Sequence, residues 1–99
     1  MSSHNRTVLQ ANVASKEQLR FTPAGIAVLS FVVEHHSSQT EAGRPRDVTL
    51  TLDCIAIGDN AQSLDQMAPG STLQLTGFLG NRSSKSRWVV LHVTEFELK

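Results

Sequence analysis

The sequence predicts an all-β fold, a small Greek-key barrel of five strands with one short helix between the third and the fourth. Three observations carry this. Five strand-like runs are separated by turn-forming stretches. Only one stretch, just after the third run, carries helical spacing. In Thr22–His36 a Pro23-Ala24-Gly25 turn leads into the apolar, β-branched run Ile26–Val33, which ends in Glu34-His35-His36. A strand apolar on both faces belongs inside a closed sheet.

The first strand lies within residues 6–15, where Leu9, Ala11 and Val13 alternate onto one face. Lys16–Phe21 continues this strand or forms a short extension up to the turn, with Lys16 and Arg20 on a solvated edge. The second strand runs from Ile26 to about Glu34. Residues 35–46, HHSSQTEAGRPR, hold no apolar side chain larger than Ala and read as a long polar loop. The third strand is Val48–Ile57, with Val48, Leu50, Leu52 and Cys54 alternating against Thr49, Thr51 and Asp53. Asp59 and Gln62 resemble a capping box, Leu64 and Met67 follow at helical spacing, and Pro69-Gly70 ends a helix of about two to three turns.

The fourth strand, Ser71–Leu79, puts Leu73, Leu75, Gly77 and Leu79 on one face, and Gly77 marks a bulge or bend. The last strand is Trp88–Leu98. It has Val90, His92, Thr94 and Phe96 on one face and Val89, Leu91 and Val93 on the other. With both faces apolar, one is expected to pack the barrel and the other a second copy of the chain, a homodimer. Phe31 and Phe78 are expected in the core. This element order is that of an OB-fold, with another small barrel or an open α+β sheet as the alternative.

Ninety-nine residues make one domain, 1–99. A composition of 39% hydrophobic and 18% charged residues suits a globular protein in water. No basic region followed by an apolar core opens the chain, and no apolar run is long enough to cross a bilayer. The expectation is a cytoplasmic protein with no membrane partner. The lone Cys54 excludes an intramolecular disulfide and reads as a small core residue in a reducing compartment. Nine basic and nine acidic residues cancel, so a case for nucleic acid rests on how charge is distributed.

That distribution points to RSSKSRW, residues 82–88. Arg82, Lys85 and Arg87 stand there without an acidic residue, and the stretch ends in the only tryptophan, Trp88. In an OB-fold this loop flanks the oligonucleotide face. Its cations suit phosphates, its indole suits a base, and its serines leave it flexible. Arg44-Pro45-Arg46 forms a second basic cluster, flanked by Glu41 and Asp47. His35 and His36 are strand neighbours that point to opposite faces, which is poor geometry for a shared metal. No nucleophile–base context and no phosphate-cradling glycine loop is present, so neither an enzyme nor a cofactor is expected.

Asn5-Arg6, Val8-Leu9, Pro23-Ala24-Gly25-Ile26, Phe31, Glu34-His35 and Glu41-Ala42-Gly43 resemble the primosomal replication protein N (PriB) family. Gly77-Phe78 and Val90-Leu91-His92 carry the resemblance to the last strand. That family is similar in fold to bacterial single-stranded DNA-binding protein (SSB) but lacks its long Gly/Pro-rich tail with an acidic tip. The same lack is expected here. The resemblance implies a homodimer of OB-folds that binds single-stranded DNA and contacts the primosomal helicase PriA during restart of stalled forks. By position it implies DNA contacts at Arg20, His36, Arg46, Arg82, Lys85 and Arg87. Arg44 and Trp88 join them from the residues alone. Thr49 stands where the family's best-known member has a Trp, so a stacking platform on the third strand is missing. Two other functions fit the same fold. One is a dimeric protein-interaction module with incidental nucleic-acid binding. The other is an RNA-binding OB domain, since backbone contacts do not report the 2′-OH.

Overall fold

The computed structural model describes residues 3–99. The elements are β1 (Thr7–Lys16), β2 (Arg20–Phe21), β3 (Ala27–Glu41), β4 (Arg44–Ile57), α1 (Asp59–Asp65), β5 (Thr72–Asn81) and β6 (Val89–Leu98). The five long strands follow one another around the sheet as β1-β5-β6-β4-β3, and β3 returns to β1 to close the barrel. All ladders are antiparallel except β4–β6. This is the OB barrel the sequence predicts. The two-residue β2 is added to the start of β3.

Period-two alternation builds the core. Ala11 and Val13 of β1, Leu29, Phe31 and Val33 of β3, Cys54 and Ala56 of β4, Leu73 and Leu75 of β5, and Leu91 and Val93 of β6 all point inward and are buried. Ala61 and Leu64 of α1 complete this cluster. Each fully buried leucine contributes roughly 1.5–3 kcal/mol. Cys54 is one of these core residues, as its sequence context suggests. Burial, with the Asp53 carboxylate adding to it, pushes its thiol up to about 12.

The largest departure from expectation lies at residues 35–46. They are not a loop. β3 continues to Glu41, β4 starts at Arg44, and the ladder is unbroken from Val28↔Ile57 to Glu41↔Arg44. The two strands turn at Ala42-Gly43, both at positive φ (53° and 76°), the backbone of a tight hairpin. The arm shows no apolar alternation because residues 36–47 lie beyond the core, with no face to bury. An apolar pattern was therefore the wrong signal for a strand there.

The helix differs at its start. Gly58, not Asp59, is the N-cap, and no side chain caps it. Asp59 is the first helical residue, where its charge still suits the helix dipole. At the other end the Lys16 ammonium donates to the Asp65 carbonyl at 2.6 Å. Lys16 is therefore not on a solvated edge. An irregularity in β1 between Val13 and Ser15 sets Lys16 opposite the inward Phe31, beneath the helix.

The bulge expected at Gly77 is present. The β5–β6 register shifts between Thr76 and Gly77, with Thr94 as the extra residue of β6. The shift flips the later part of β6, so Phe96 packs against the core instead of sharing a face with His92. This removes Phe96 from the outward face expected to seat a second copy. Phe78 is the converse case. Next to inward Gly77 it points outward, 43% exposed, and stacks on His92 with centroids 4.7 Å apart.

Candidate nucleic-acid interface

The outward residues of β3, β4 and β6 form rows fixed by register. Ser30 lies across from Ile55 and Val32 across from Asp53. Asp53 and Ile55 in turn lie beside Val90 and His92. Over these rows opens a cleft of about 470 Å³, walled by the end of β1 and by Arg20 on one side and by Asn81 and Arg82 on the other. In an OB barrel this is the face, between two flanking loops, that receives oligonucleotides.

The loop from Arg82 to Trp88 borders the cleft through Arg82, which lines it. It is held together rather than loose. The Arg82 N–H donates to the Trp88 carbonyl at 2.8 Å, the Ser86 N–H to the Ser83 carbonyl at 3.1 Å, and the Ser86 hydroxyl accepts from the Trp88 N–H at 2.9 Å. The serines that suggested flexibility instead supply a turn and a hydroxyl acceptor for the Trp88 backbone N–H.

Trp88 is 62% exposed, so it is a surface residue. Its indole N–H donates to the Asp53 carboxylate. The Arg82 guanidinium donates to the same oxygen at 3.1 Å and lies over the Trp88 ring, 5.8 Å from its centroid. Lys85 and Arg87 are exposed, and among the described residues neither makes an ion pair.

The structure thus gathers Arg20, Arg82, Lys85, Arg87 and Trp88 around one cleft or its bordering loop. His36 lies further along β3, on the same alternate positions as Ser30 and Val32, directly across from Thr49. Arg44 and Arg46 are not brought to the cleft. They sit at the start of β4 near the hairpin tip, on the opposite parity, and Arg46 pairs with Glu41 at 3.3 Å. Arg46 is seven positions from Asp53, about 23 Å of strand.

Sequence reasoning missed Asp53, whose one signal was a charge amid Leu52, Cys54 and Ile55. It also missed the extent of the outer aromatic pair, Phe78 and His92. His35 has a structural task. Its Nδ1 donates to the Gln10 carbonyl at 2.6 Å, leaving Nε2, 2.8 Å away, to accept from the Ser37 hydroxyl.

Residues 5–95 match a family described as another single-strand binding protein family. The replication restart protein PriB of Bordetella pertussis is 37% identical over 92% of this chain and 85% of its own length. That of Nitrosomonas europaea is 30% identical over 94% of this chain and 86% of its own. Among solved structures, priB of Ralstonia solanacearum superposes with a TM-score of 0.87 at 31% identity, covering 97% of this chain and 98% of that one. The wild-type single-stranded DNA-binding protein of Thermus aquaticus superposes at 0.77 with 19% identity, over 97% of this chain and 50% of that one, a likeness of fold. With its barrel, its cleft and these matches over nearly its whole length, the chain belongs to the single-strand binding protein family, among the PriB replication restart proteins.

Proposed function

We propose that this protein is a non-catalytic single-stranded DNA-binding component of replication restart, acting in the cytoplasm as a homodimer alongside the primosomal helicase PriA. The observation that carries this is the exposed Trp88, bonded to Asp53 of the cleft lining and carried on a loop with Lys85 and Arg87, which make no ion pair among the described residues. An exposed indole offers a flat face to any unstacked base, and nearby cations follow the phosphates. Of the sequence-proposed contacts, Arg20, Arg82, Lys85, Arg87 and Trp88 fit one path, with His36 as its extension along β3. Arg44 and Arg46 fit a more distant contact at the hairpin tip. The names of the relatives supply the setting of replication restart.

The homodimer draws support from β1. Between Thr7 and Ala11 it is paired with β5 on one side only, and Val8 there is 48% exposed. A second copy laid against that edge would pair the main-chain groups still open there, the Gln10 carbonyl being taken by His35. Sedimentation at micromolar concentration tests it, and a species at only 10.8 kDa would overturn it.

Asp53 and Glu17 in the cleft, together with a net charge of zero, favour a second reading in which the same face docks a protein. Titration of a labelled oligonucleotide at low and at physiological salt separates the two. Saturable binding that weakens with salt supports the first, and no binding at either salt supports the second. Competition by RNA of the same sequence tests the choice of nucleic acid.

A further inference from the structure

Asp53 stands at the centre of a surface proposed to receive phosphates, where a carboxylate is electrostatically unwelcome. Only 22% of its side chain is exposed. Two donors from the β5–β6 loop converge on its Oδ2, the Trp88 indole N–H and the Arg82 guanidinium. These residues are the first and last of the loop, and their backbones are joined by the 2.8 Å bond from Arg82 to Trp88. One carboxylate of the barrel wall therefore anchors both ends of the loop. Without it, the side chain of Trp88, a residue 62% exposed, would be free to rotate even though the loop backbone is held. Free rotation of that kind has to be frozen out when a base stacks.

We infer that Asp53 is a positioning residue of the single-strand interface: it presets the Trp88 ring as a stacking platform and keeps Arg82 on that platform instead of on a phosphate. Arg82 lies over one side of the indole, and Trp88 is 62% exposed, which suits a base on the other side. The role of Arg82 is then to support the ring, and the loop's phosphate contacts come from Lys85 and Arg87. The inference rests on the single-strand reading above and assigns it a residue that neither charge nor motif would nominate.

The test uses the whole chain with Asp53→Ala, Asp53→Asn and Trp88→Phe. Trp88 is the only tryptophan, so its emission reports on its own environment without DNA. In Asp53→Ala the emission should shift to the red and become more open to acrylamide quenching. Affinity for a labelled oligonucleotide at physiological salt should fall about tenfold, as expected for partial loss of a base stack. The slope of log K against log salt should steepen by about 0.7, because the released Arg82 can now meet a phosphate. A merely structural loss would not steepen that slope. Asp53→Asn keeps an oxygen for the indole and should leave the emission near that of the parent. Trp88→Phe keeps a ring but has no N–H, and should weaken binding to a similar degree. The double variant Asp53→Ala/Trp88→Phe should bind no more weakly than either single one, since both break one contact. Should Asp53→Ala melt out, Trp88→Phe carries the test, and parent-like affinity in it overturns the inference. A parent that binds while Asp53→Ala matches it in emission, quenching and affinity also overturns the clamp, leaving the proposed function standing. A parent that does not bind the oligonucleotide overturns the proposed function itself.

Discussion

Gly77 and His92 meet backbone to backbone: a Cβ on Gly77 would lie 1.8 Å from the His92 carbonyl oxygen. The obstructing atoms are main chain, so they cannot swing aside as a flexible side chain would. Gly77→Ala should therefore push β5 and β6 apart at the bulge. Overpacking costs typically 1–3 kcal/mol, and the top of that range is expected here. About 3 kcal/mol lowers the melting midpoint of a domain this size by roughly 12–24 °C. A variant that melts within a few degrees of the parent would mean that the ladder opens there at little cost.

Trp88→Ala should separate binding from stability. The ring is mostly exposed and lies outside the core cluster, so the melting midpoint should move by only a few degrees. Oligonucleotide affinity should fall by about 1–3 kcal/mol, the worth of a base–aromatic stack. A large drop in the midpoint would place the ring in a structural role instead.

Lys85→Ala/Arg87→Ala should change the salt dependence of binding. Sequence alone counts three loop cations, but Arg82 is held by Asp53. Two phosphate contacts at about 0.7 each predict a slope reduced in magnitude by about 1.4 for each loop engaged. All base sequences should weaken alike, and stability should hold, because exposed cations contribute little to it. An unchanged slope would place the phosphate path elsewhere on the barrel.

Cys54 gives the fold an alkaline limit. Its thiol is near 9 when unfolded and about 12 when folded. Below about pH 9 both states keep the proton and stability is unaffected. Between about 9 and 12 the unfolded chain releases the proton and the folded one retains it, so stability falls as pH rises. The slope is at most about 1.4 kcal/mol per pH unit. Denaturant melts at pH 8 and 10.5 should show this loss in the parent and a smaller one in Cys54→Ala. Equal losses in both would assign the alkaline limit to other groups.

Strands such as β1 and β5 were legible because each has one face in the core and one outside. Leu9, Ala11 and Val13, or Leu73 and Leu75, write that boundary directly into the residue order. The hairpin arm was not legible for the same reason. Residues 36–47 have no face to bury, so their strand character comes from pairing across the ladder, a relation between distant positions. Phe96 was misplaced because inserting Thr94 into β6 shifts every later side chain to the opposite face, and alternation read from the start of the strand runs straight through it. Phe78 was misplaced because its aromatic side chain was weighed above the alternation of β5, which sets it on the face opposite Leu73, Leu75 and Gly77.

By itself the sequence determined the five-strand barrel with its helix, the core faces of β1 and β5, the bulge at Gly77, the basic loop with its Trp and the family resemblance. All of these depend on neighbours along the chain or on side-chain polarity. Only the tertiary structure decided what that loop does with its residues. Asp53 is 29 residues from Arg82 and 35 from Trp88. The parallel β4–β6 pairing is what brings the carboxylate beside the end of the loop. Once there, a single oxygen in a partly covered site takes up both donors, because leaving it unpaired would cost more than holding the loop in place.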